Sequence, residues 1–495
     1  MPLPDRLPAA ILVSLAAALL IALSGRRPNV RESWTFAAAA IKLLLVVSLV
    51  PAVARGEVVE SSPLALLPGI DLHFRADPFG LLFALVASTL WLVTSVFSVG
   101  YMRAGGYARQ TSYFAWFAVC LSATMGIAFA ANLVTFFIFY EILTIATYPL
   151  VIHFRTDEAK RAGRQYLAYT LVAGQALLLA IAAVHVLAPG AEFQPGGFLA
   201  GRAGTPVLAV LFALFIIGVG VKAGIMPLHG WLPAAMVAPT PVSALLHAVA
   251  VVKAGAFGCV RIVGFVFGVD VLRAIGADVA LAIAASITIV LASIRALGEG
   301  HLKRRLAYST IGQLSYIVLG AALGSAAALA GAMFHIAAHG AMKITMFFCA
   351  GAIYAKTHLE QIEDLGGIGR RMPVTMGAFA VCALGLAGTP LLAGFISKWN
   401  IGLGAYQAGH PAFIAVLLAS GLLNFAYFMP IVRTAFLDGE GTKPDEAGIA
   451  LALPLALTSA AAILLGIFPD AGLNLYHLAW EAARHVVSPD TRGVL

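Results

Sequence analysis

Ionisable side chains stand inside long apolar runs of this 495-residue sequence. A charge at the centre of a bilayer costs about 2.5–3.5 kcal/mol on insertion scales, and such groups mark ion and proton pathways. The set contains one acid, five lysines and three histidines, namely Glu141, Lys42, Lys222, Lys253, Lys343, Lys398, His247, His335 and His339. Because so many purely structural charges would be costly, the set predicts a pathway for protons.

Glu141 is the single carboxylate well inside an apolar run, and Lys222 is its most plausible partner. An acid beside a lysine stabilises the charged lysine, so opening such a pair would release the lysine proton more easily. We therefore expect a Glu141–Lys222 pair that acts as a gate. The alternative is a buried ion pair with a structural role only.

His335, His339 and Lys343 are spaced four residues apart, so a helix places them on one face. Two histidines at this spacing can bind a metal ion. No acid or cysteine accompanies them, however, and Lys343 would repel a cation. Stepwise proton transfer through intervening water suits the three groups better than metal binding.

The remaining buried cations are harder to place. His247 precedes Lys253 by six residues, which is not quite one helical face, but a local break would let both line one cavity. Lys398 follows Gly394 in an interrupted run, and it either ends the proton path or extends towards the membrane surface. Lys42 has no evident partner, and we expect it to extend to the surface.

The composition requires a membrane protein. Hydrophobic residues make up 61% of the chain, charged residues 11%, and the mean hydropathy is +0.94. Soluble proteins carry about 25% charged residues, so a soluble enzyme, a nucleic-acid-binding protein and a disordered scaffold are excluded. Runs of roughly 20 apolar residues predict an all-α polytopic membrane protein with about fourteen transmembrane helices. These runs lie near 7–25, 35–54, 78–101, 112–130, 132–153, 166–188, 205–226, 240–266, 271–296, 306–324, 327–355, 373–400, 409–435 and 447–468, and segment 470–490 suggests an interfacial amphipathic helix.

The basic residues indicate an orientation. Arginine and lysine concentrate in the loops that follow odd-numbered spans, among them the loops with Arg26, Arg103, Arg155, Arg304 and Arg370, and the loop with Arg433 and Lys443. The loops after even-numbered spans hold few basic residues, which are Arg55, Arg75, Arg202 and Arg273. Basic loops face the cytoplasm, so both termini are expected outside it. The net charge of +8 is then a topology signal rather than a partner site.

Several spans contain breaks. The seventh runs into Lys222-Ala-Gly-Ile-Met-Pro227, the eighth begins Ala-Pro239-Thr-Pro241-Val-Ser, and the twelfth contains Gly388-Thr-Pro390 and Gly394. Broken helices are tolerated in membranes inside protein or beside a water-filled cavity, and paired breaks point to inverted repeats around an ion site. Since the breaks in the seventh and twelfth spans lie five spans apart, a five-helix unit used twice in opposite orientation would explain them. The expected segments are 1–111, with three helices; 112–266 and 267–436, the two repeats; and 437–495, the last helix and a tail.

Cofactor motifs are not found. No phosphate-binding glycine loop runs into Lys-Ser or Lys-Thr, and no haem or iron–sulfur spacing involves the cysteines. The four cysteines lie in apolar runs and are interpreted as core residues. The sequence predicts neither a cofactor nor a metal.

Two long motifs resemble a known family. They are Lys222-Ala-Gly-Ile-Met-Pro-Leu-His-Gly-Trp-Leu-Pro233, followed by Ala238-Pro-Thr-Pro-Val-Ser-Ala-Leu-Leu-His247 and Val252-Lys-Ala-Gly255, and Leu302-Lys-Arg-Arg-Leu-Ala-Tyr-Ser-Thr-Ile-Gly-Gln-Leu-Ser-Tyr316. They resemble the proton-translocating antiporter-like subunits of respiratory complex I, membrane-bound hydrogenases and Mrp-type cation/proton antiporters. The resemblance extends over roughly residues 78 to 436. Lys398 differs from the glutamate of one complex I branch, and the segments 247–253, 343–353 and Ser397-Lys-Trp399 look most like the D subunit of Mrp-type antiporters.

The resemblance implies roles for individual residues. Glu141 and Lys222 match the family's fifth-span glutamate and its seventh-span lysine, and His247 and Lys253 match the eighth-span pair. His335, His339 and Lys343 match the eleventh-span relay, and Lys398 matches the terminal group. The family fold has fourteen helices with two inverted five-helix repeats. His301 departs from the family, which more often has an acid there, so a different local proton entry or loop pairing is expected.

The expected function is proton translocation within a multi-subunit Na⁺/H⁺ antiporter of a bacterial inner membrane. The implied partners are other small and large membrane subunits, the lipid bilayer, H⁺ and Na⁺, with no nucleic acid. The alternative is the proton-pumping subunit of a redox-driven complex, either complex I-like or hydrogenase-like. A scaffold without transport is disfavoured by the density of buried lysines.

Overall fold

The computed structural model describes residues 1–68, 70–439 and 444–488, so Lys443 and the tail from 489 lie outside the described residues. The described chain is almost wholly helical. Its α-helices are α1 Leu3–Leu23, α2 Pro28–Val47, α3 Val50–Ala54, α4 Pro78–Ala104, α5 Gln110–Ala128, α6 Leu133–Val151, α7 Asp157–Leu187, α8 Thr205–Ala223, α9 Trp231–Ala234, α10 Thr240–Ala244, α11 Val251–Arg261, α12 Val269–Ala274, α13 Ala277–Gly298, α14 Leu302–Leu323, α15 Ala326–Thr357, α16 Ile368–Arg371, α17 Pro373–Ala387, α18 Ala393–Gln407, α19 Ala412–Leu437, α20 Ile449–Ile467 and α21 Leu475–Val487.

Short strands occupy one connection only in the described chain. Strands β1 (Val59–Glu60) and β4 (Arg75–Ala76) pair antiparallel, as do β2 (Leu64–Leu67) and β3 (Ile70–Leu72). Two 3₁₀ turns follow α9 and precede α16, at Ala235–Val237 and Ile362–Leu365.

The membrane-spanning character is confirmed. The described chain contains 13 helices that are long and apolar enough to cross a membrane. The predicted twelfth span is a pair of shorter segments, α17 and α18, separated by residues 388–392. The predicted segment 470–490 forms α21, which packs its apolar face on α15 and α4. The inverted five-helix repeats and the segment boundaries stay predictions.

The predicted breaks in the seventh and twelfth spans are present. Helix α8 ends one residue after Lys222, where Gly224 adopts a φ of +73°. Helix α17 ends at Ala387, Gly388 adopts a φ of +101°, and α18 resumes at Ala393. Both glycines occupy the left-handed region, which suits a residue without a Cβ atom. The eighth span, Thr240–Phe267, is also irregular, as the sequence suggested, but it contains π-helical turns at Leu245–Val249 and Ile262–Phe267 in place of a break between His247 and Lys253.

The core of the molecule is built by the eighth span and α15. The most apolar 18-residue windows of both helices are entirely buried. Helix α15 packs against α14, α17, α18, α20 and α4. The peripheral helices α1, α2, α7, α13, α19 and α20 instead leave much of their apolar surface uncovered. An apolar exterior around a core with buried ionisable groups is the arrangement expected of a protein in lipid.

The connections gather at two ends of the helical bundle. One end, here called the basic end, carries the arginine-rich connections; Arg31 bonds Gln110 there, and Lys356 and Arg371 both pair with Asp445. The opposite end, here called the strand end, carries the strands, the residues 188–204 and α21. This separation agrees with the predicted alternation of basic and non-basic loops.

Candidate functional site

Lys222 lies in the last turn of α8 and is fully buried. Its Nζ donates a hydrogen bond to the carbonyl oxygen of Tyr140 at 2.6 Å and stands 3.3 Å from the centre of the Tyr140 ring. Tyr140 is fixed in turn, because its hydroxyl donates to the Gly218 carbonyl at 3.1 Å. A backbone carbonyl and an aromatic face therefore hold the ammonium group.

The predicted Glu141–Lys222 ion pair is not formed in this structure. No ion pair within 4.0 Å among the described residues includes Glu141, which follows Tyr140 in α6. Lys222 instead donates to the backbone of α6, at the carbonyl oxygen of Tyr140, the residue before Glu141. The glutamate and the lysine are neighbours that do not touch.

Glu141 is half-buried between α6 and α7. Its Oε1 atom is buried and has no hydrogen-bond partner within the described chain. Gly174 of α7 provides the space for it, since a Cβ atom at that position would stand 2.6 Å from Oε1. A carboxylate oxygen without a partner is poised to change its contact.

Lys253 and His339 form the closest contact between the predicted groups. The Nζ atom of Lys253 lies 2.6 Å from Nδ1 of His339, and both side chains are fully buried. The ring of His335 lies one turn along α15, with its centre 5.8 Å from that of His339. The shared helical face predicted from the spacing is therefore present.

His335 connects α15 to two other helices. Its Nδ1 lies 2.7 Å from Oγ of Ser397 in α18, and its Nε2 lies 3.2 Å from Oε1 of Gln313 in α14. The amide nitrogen of Gln313 donates to the carbonyl oxygen of Leu386 at 3.3 Å. Gln313 is thus a bridge between His335 and the broken span.

The carbonyl of Leu386 is an acceptor because α17 is broken. In a continuous helix it would accept the N–H of residue 390, but Pro390 has no N–H group. The carbonyl accepts instead from Nζ of Lys398, from Gln313, and from Nδ2 of Asn424 at 3.4 Å. Lys398 therefore points inward, 4.7 Å from the ring centre of Tyr316, and does not extend to the surface.

Lys343 enters the same hydrogen-bonded system from another side. Its Nζ donates to Oγ of Ser309 at 2.9 Å and to the Leu306 carbonyl at 3.3 Å. The hydroxyl of Tyr427 bonds Ser309 at 3.0 Å and also contacts Oδ1 of Asn424. Hydroxyls and an amide thus link Lys343 to the Leu386 carbonyl.

His247 lies within the first π-helical turn of the eighth span. Both of its ring nitrogens are buried without a partner in the described chain, and its ring packs 4.7 Å from that of Phe347. Ser243 lies one turn earlier, and its buried hydroxyl also has no partner among the described residues. Thr240 lies on the same face and donates to the hydroxyl of Tyr101 at 3.4 Å.

A cavity of about 560 Å³ opens at the basic end, above the start of the eighth span. Its lining includes Tyr101, His301, Lys303 and Glu360. The pKa of the Glu360 carboxyl is lowered, first by its contact with His301 and further by the charge of Lys303. Thr240, Ser243 and His247 lead from Tyr101 towards Lys253, so the cavity stands over a row of polar groups.

The prediction for Lys42 is wrong. The side chain is fully buried, its Nζ donates to the Leu121 carbonyl at 2.9 Å, and it stands 4.5 Å from the Trp91 ring centre. A carbonyl and an aromatic ring replace water at the ammonium group, as they do at Lys222. Lys42 belongs to the N-terminal helices, and these contacts do not join it to the system around His339.

The sequence analysis did not identify the neutral members of the system, which are Tyr140, Ser309, Gln313, Asn424 and Tyr427. Amides are uncommon inside apolar helices, and both Gln313 and Asn424 are nearly fully buried. Their presence in apolar runs was the available signal, since polar groups buried in a membrane must find partners. Within the described ranges, no group of three or more His, Cys, Asp or Glu residues could hold a metal ion.

Comparison with known proteins places this arrangement in context. Residues 130–423 match the family described as NADH:quinone oxidoreductase/Mrp antiporter, transmembrane. The chain is 30% identical to NADH-quinone oxidoreductase subunit N of Desulforudis audaxviator, over 95% of this chain and 97% of that protein. It is 28% identical to a component of a probable K⁺/H⁺ antiporter of Rhizobium meliloti, over 93% of this chain and 46% of that protein. A chain in the structure of the Mrp complex from Dietzia sp. is 25% identical, with a TM-score of 0.89 over 99% of this chain and 98% of that chain.

Proposed function

The chain belongs to the NADH:quinone oxidoreductase/Mrp antiporter transmembrane family, and we propose that it moves protons as one subunit of a multi-subunit Na⁺/H⁺ antiporter. It is a proton-translocating, antiporter-like subunit of the type found in Mrp and complex I-like assemblies. The finer assignment, to an antiporter that exchanges Na⁺, is the proposal.

The observation that carries the proposal is a run of hydrogen-bonding groups through the core. It begins at Lys253 and His339, which are 2.6 Å apart, and continues to the neighbouring ring of His335. It then follows Gln313 to the Leu386 carbonyl and Lys398. Because the Leu386 carbonyl accepts from both Gln313 and Lys398, it positions these groups but passes no proton itself. Water between the two histidine rings, and between His335 and Lys398, would complete a path for proton transfer.

Entry to this run is proposed from the basic end, which we assign to the cytoplasm. The 560 Å³ cavity is lined by Tyr101, whose hydroxyl accepts a hydrogen bond from the buried Thr240. Further along the eighth span, Ser243 and His247 have buried polar atoms without a hydrogen-bond partner in the described chain. These atoms are sites for bridging water. Protons would reach Lys253 by this route and leave through Lys398, with both chain termini outside the cytoplasm.

Glu141 and Lys222 are proposed as the gate beside this route. Lys222 is held by the carbonyl of Tyr140. Glu141 is the next residue in α6, and its Oε1 atom has no hydrogen-bond partner in the described chain. A shift of Lys222 from the carbonyl to the carboxylate would exchange a neutral partner for a charged one. Because the two arrangements differ in electrostatic free energy, the exchange would couple the lysine charge to a conformational change.

A second function is favoured by one observation. The relative from Desulforudis audaxviator is described as NADH-quinone oxidoreductase subunit N and is covered almost end to end. In a redox-driven complex the same residues would pump protons under the control of partner subunits, because this chain shows no cofactor motif.

The test separates these two functions. The complex is purified from its native membrane with a tagged chain, its subunits are identified by mass spectrometry, and it is reconstituted into liposomes with an internal pH dye. An inward Na⁺ gradient should drive proton export without any redox substrate, and only membrane subunits should co-purify. Proton movement that requires an electron donor, together with flavin or iron–sulfur subunits, would establish the redox-driven alternative instead.

A further inference from the structure

Arg261 is a buried charge that the proposed pathway does not use. It ends α11 in the eighth span and is fully buried. Its Nη1 lies 2.6 Å from Oδ2 of Asp77, but Nε, Nη1 and Nη2 make no aligned hydrogen bond within the described chain. The guanidinium is therefore held as an ion-pair partner rather than through a hydrogen-bond network.

Aromatic rings enclose this guanidinium. Its Cζ atom lies between 4.5 and 5.4 Å from the ring centres of Phe79, Phe193, Phe257 and Phe265. Gly80 keeps the site open, since a Cβ atom there would stand 3.1 Å from Nη2 of Arg261. The phenyl rings offer no hydrogen-bond acceptor comparable to a carbonyl, and the guanidinium offers donors only.

The position of Arg261 relates it to the proton path. Lys253, Phe257 and Arg261 follow at four-residue spacing in α11, on one face, and eight residues span about 12 Å. The backbone beyond Arg261 already belongs to the strand end, where Gln194 and Gly196 donate to Phe265 and Gly264. Arg261 therefore stands between Lys253 and the strand end of the bundle.

The ion pair is oriented. Asp77 retains 21% side-chain exposure and also caps α4 by accepting the Gly80 N–H at 2.8 Å, whereas Arg261 has none of its side chain exposed. The positive end of the pair thus faces the protein interior. Arginine stays protonated in proteins and has no acceptor atom, so it cannot pass a proton on.

We propose that Arg261, paired with Asp77 inside the phenylalanine enclosure, closes the strand end of the eighth span to protons. A proton that reaches Lys253 meets a fixed positive charge and a cluster of phenyl rings ahead, and it passes sideways to His339. Fixed arginines exclude protons and cations in channels by the same electrostatic means. This inference rests on the proposed function, because it assumes that protons arrive at Lys253.

The test is a passive leak measurement on the complete complex in liposomes. The double variant Arg261→Gln with Asp77→Asn removes both charges and keeps polar side chains of similar shape. Arg273→Gln with Asp270→Asn is the matched control, because this exposed pair, 3.9 Å apart, also lies at the strand end. A pH gradient is imposed without Na⁺ on either side, the membrane potential is clamped with K⁺ and valinomycin, and an internal dye follows the decay.

The Arg261 double variant should dissipate the gradient about tenfold faster than wild type, which corresponds to a barrier lowered by about 1.4 kcal/mol. The control should decay like wild type. A double variant that assembles and holds the gradient as tightly as wild type would overturn the proposal.

A conservative variant guards against a purely structural effect. Arg261→Lys keeps a cation beside Asp77, but a buried lysine can release its proton, so this complex should assemble and leak more than wild type even if the double variant fails to assemble. An assembled Arg261→Lys complex that holds the gradient as tightly as wild type would overturn the argument that a cation unable to release its proton closes this end. The proposed function fails separately, if the wild-type complex shows no Na⁺-driven proton flux in the same liposomes.

Discussion

Gln313 is the side chain whose removal tests the described path most selectively. The substitution Gln313→Leu keeps the volume nearly constant and removes two contacts, to Nε2 of His335 at 3.2 Å and to the Leu386 carbonyl at 3.3 Å. Each neutral hydrogen bond contributes about 1 kcal/mol net, so the local loss is about 2 kcal/mol. That loss is too small to prevent assembly of a large helical core.

The fractional effect on proton flux should be larger than the effect on assembly of the complex. If the same 2 kcal/mol is added to the barrier for transfer between His335 and Lys398, the proton flux falls about 30-fold. Leucine offers no polar atom, and its volume leaves little space for a substituting water molecule. We expect flux near background at unchanged assembly.

Gln110→Leu is the matched control for this experiment. The Gln110 amide also makes two contacts, donating to the Met102 carbonyl at 3.1 Å and accepting from Arg31 at 2.8 Å, but it lies outside the run of groups and outside the lining of the cavity at the basic end. Both variants are compared by Na⁺-driven quenching of an acridine dye in membrane vesicles, with the assembled complex quantified on native gels. Full transport by assembled Gln313→Leu would refute the path through Gln313.

Two further substitutions test the account. The first should lower proton flux without lowering stability, and the second should change stability in a way that depends on pH. Gly174→Ala places a Cβ atom 2.6 Å from Oε1 of Glu141 and forces the carboxylate to move, while helix α7 gains up to about 1 kcal/mol in propensity. A thermal shift assay should therefore show unchanged or raised stability, and a flux assay should show reduced proton transport. Normal flux would contradict the proposed role of the Glu141 position. Glu360→Gln removes a carboxylate whose pKa is lowered by His301 and Lys303, so its contribution to stability is complete above the ordinary glutamate pKa of about 4.3 and disappears as the pH falls through the lowered value. The Tm difference between wild type and this variant should therefore vanish at low pH, and a difference that grows on acidification would contradict the assignment.

Much of the fold follows from patterns that the sequence displays. The break after Lys222 and the break between Gly388 and Leu392 were predictable, because proline lacks an N–H group and glycine tolerates left-handed backbone. The common face of His335, His339 and Lys343 was predictable from helical periodicity alone. These features depend on neighbours in sequence.

The partners of the buried charges were not predictable in the same way. Lys42 and Lys222 both donate to backbone carbonyls, of Leu121 and Tyr140. A carbonyl is present at every position, so no residue type reveals which one a flexible lysine will reach. The Leu386 carbonyl is a partial exception, since Pro390 four residues later identifies it as an acceptor without its helical donor.

The π-helical turn at Leu245–Val249 explains why the relative orientation of His247 and Lys253 was not predictable from their spacing. It adds a residue to one turn of the eighth span, so the six-residue spacing between His247 and Lys253 does not correspond to a fixed angle. Such turns arise from tertiary packing and often mark functional sites. The sequence suggested a local break here, whereas the helix continues with an altered period.

Proton flux in Lys253→Met, measured beside Lys42→Met, tests the central claim most directly. Both lysines are fully buried, and both ammonium groups have a single close hydrogen-bonding partner, His339 for Lys253 and the Leu121 carbonyl for Lys42. The two substitutions therefore remove similar buried contacts, and they differ in that Lys253 alone belongs to the run that reaches Lys398. We predict that reconstituted Lys253→Met complex loses Na⁺-driven proton flux while Lys42→Met complex retains most of it. Equal retention of flux in both assembled variants would contradict the account.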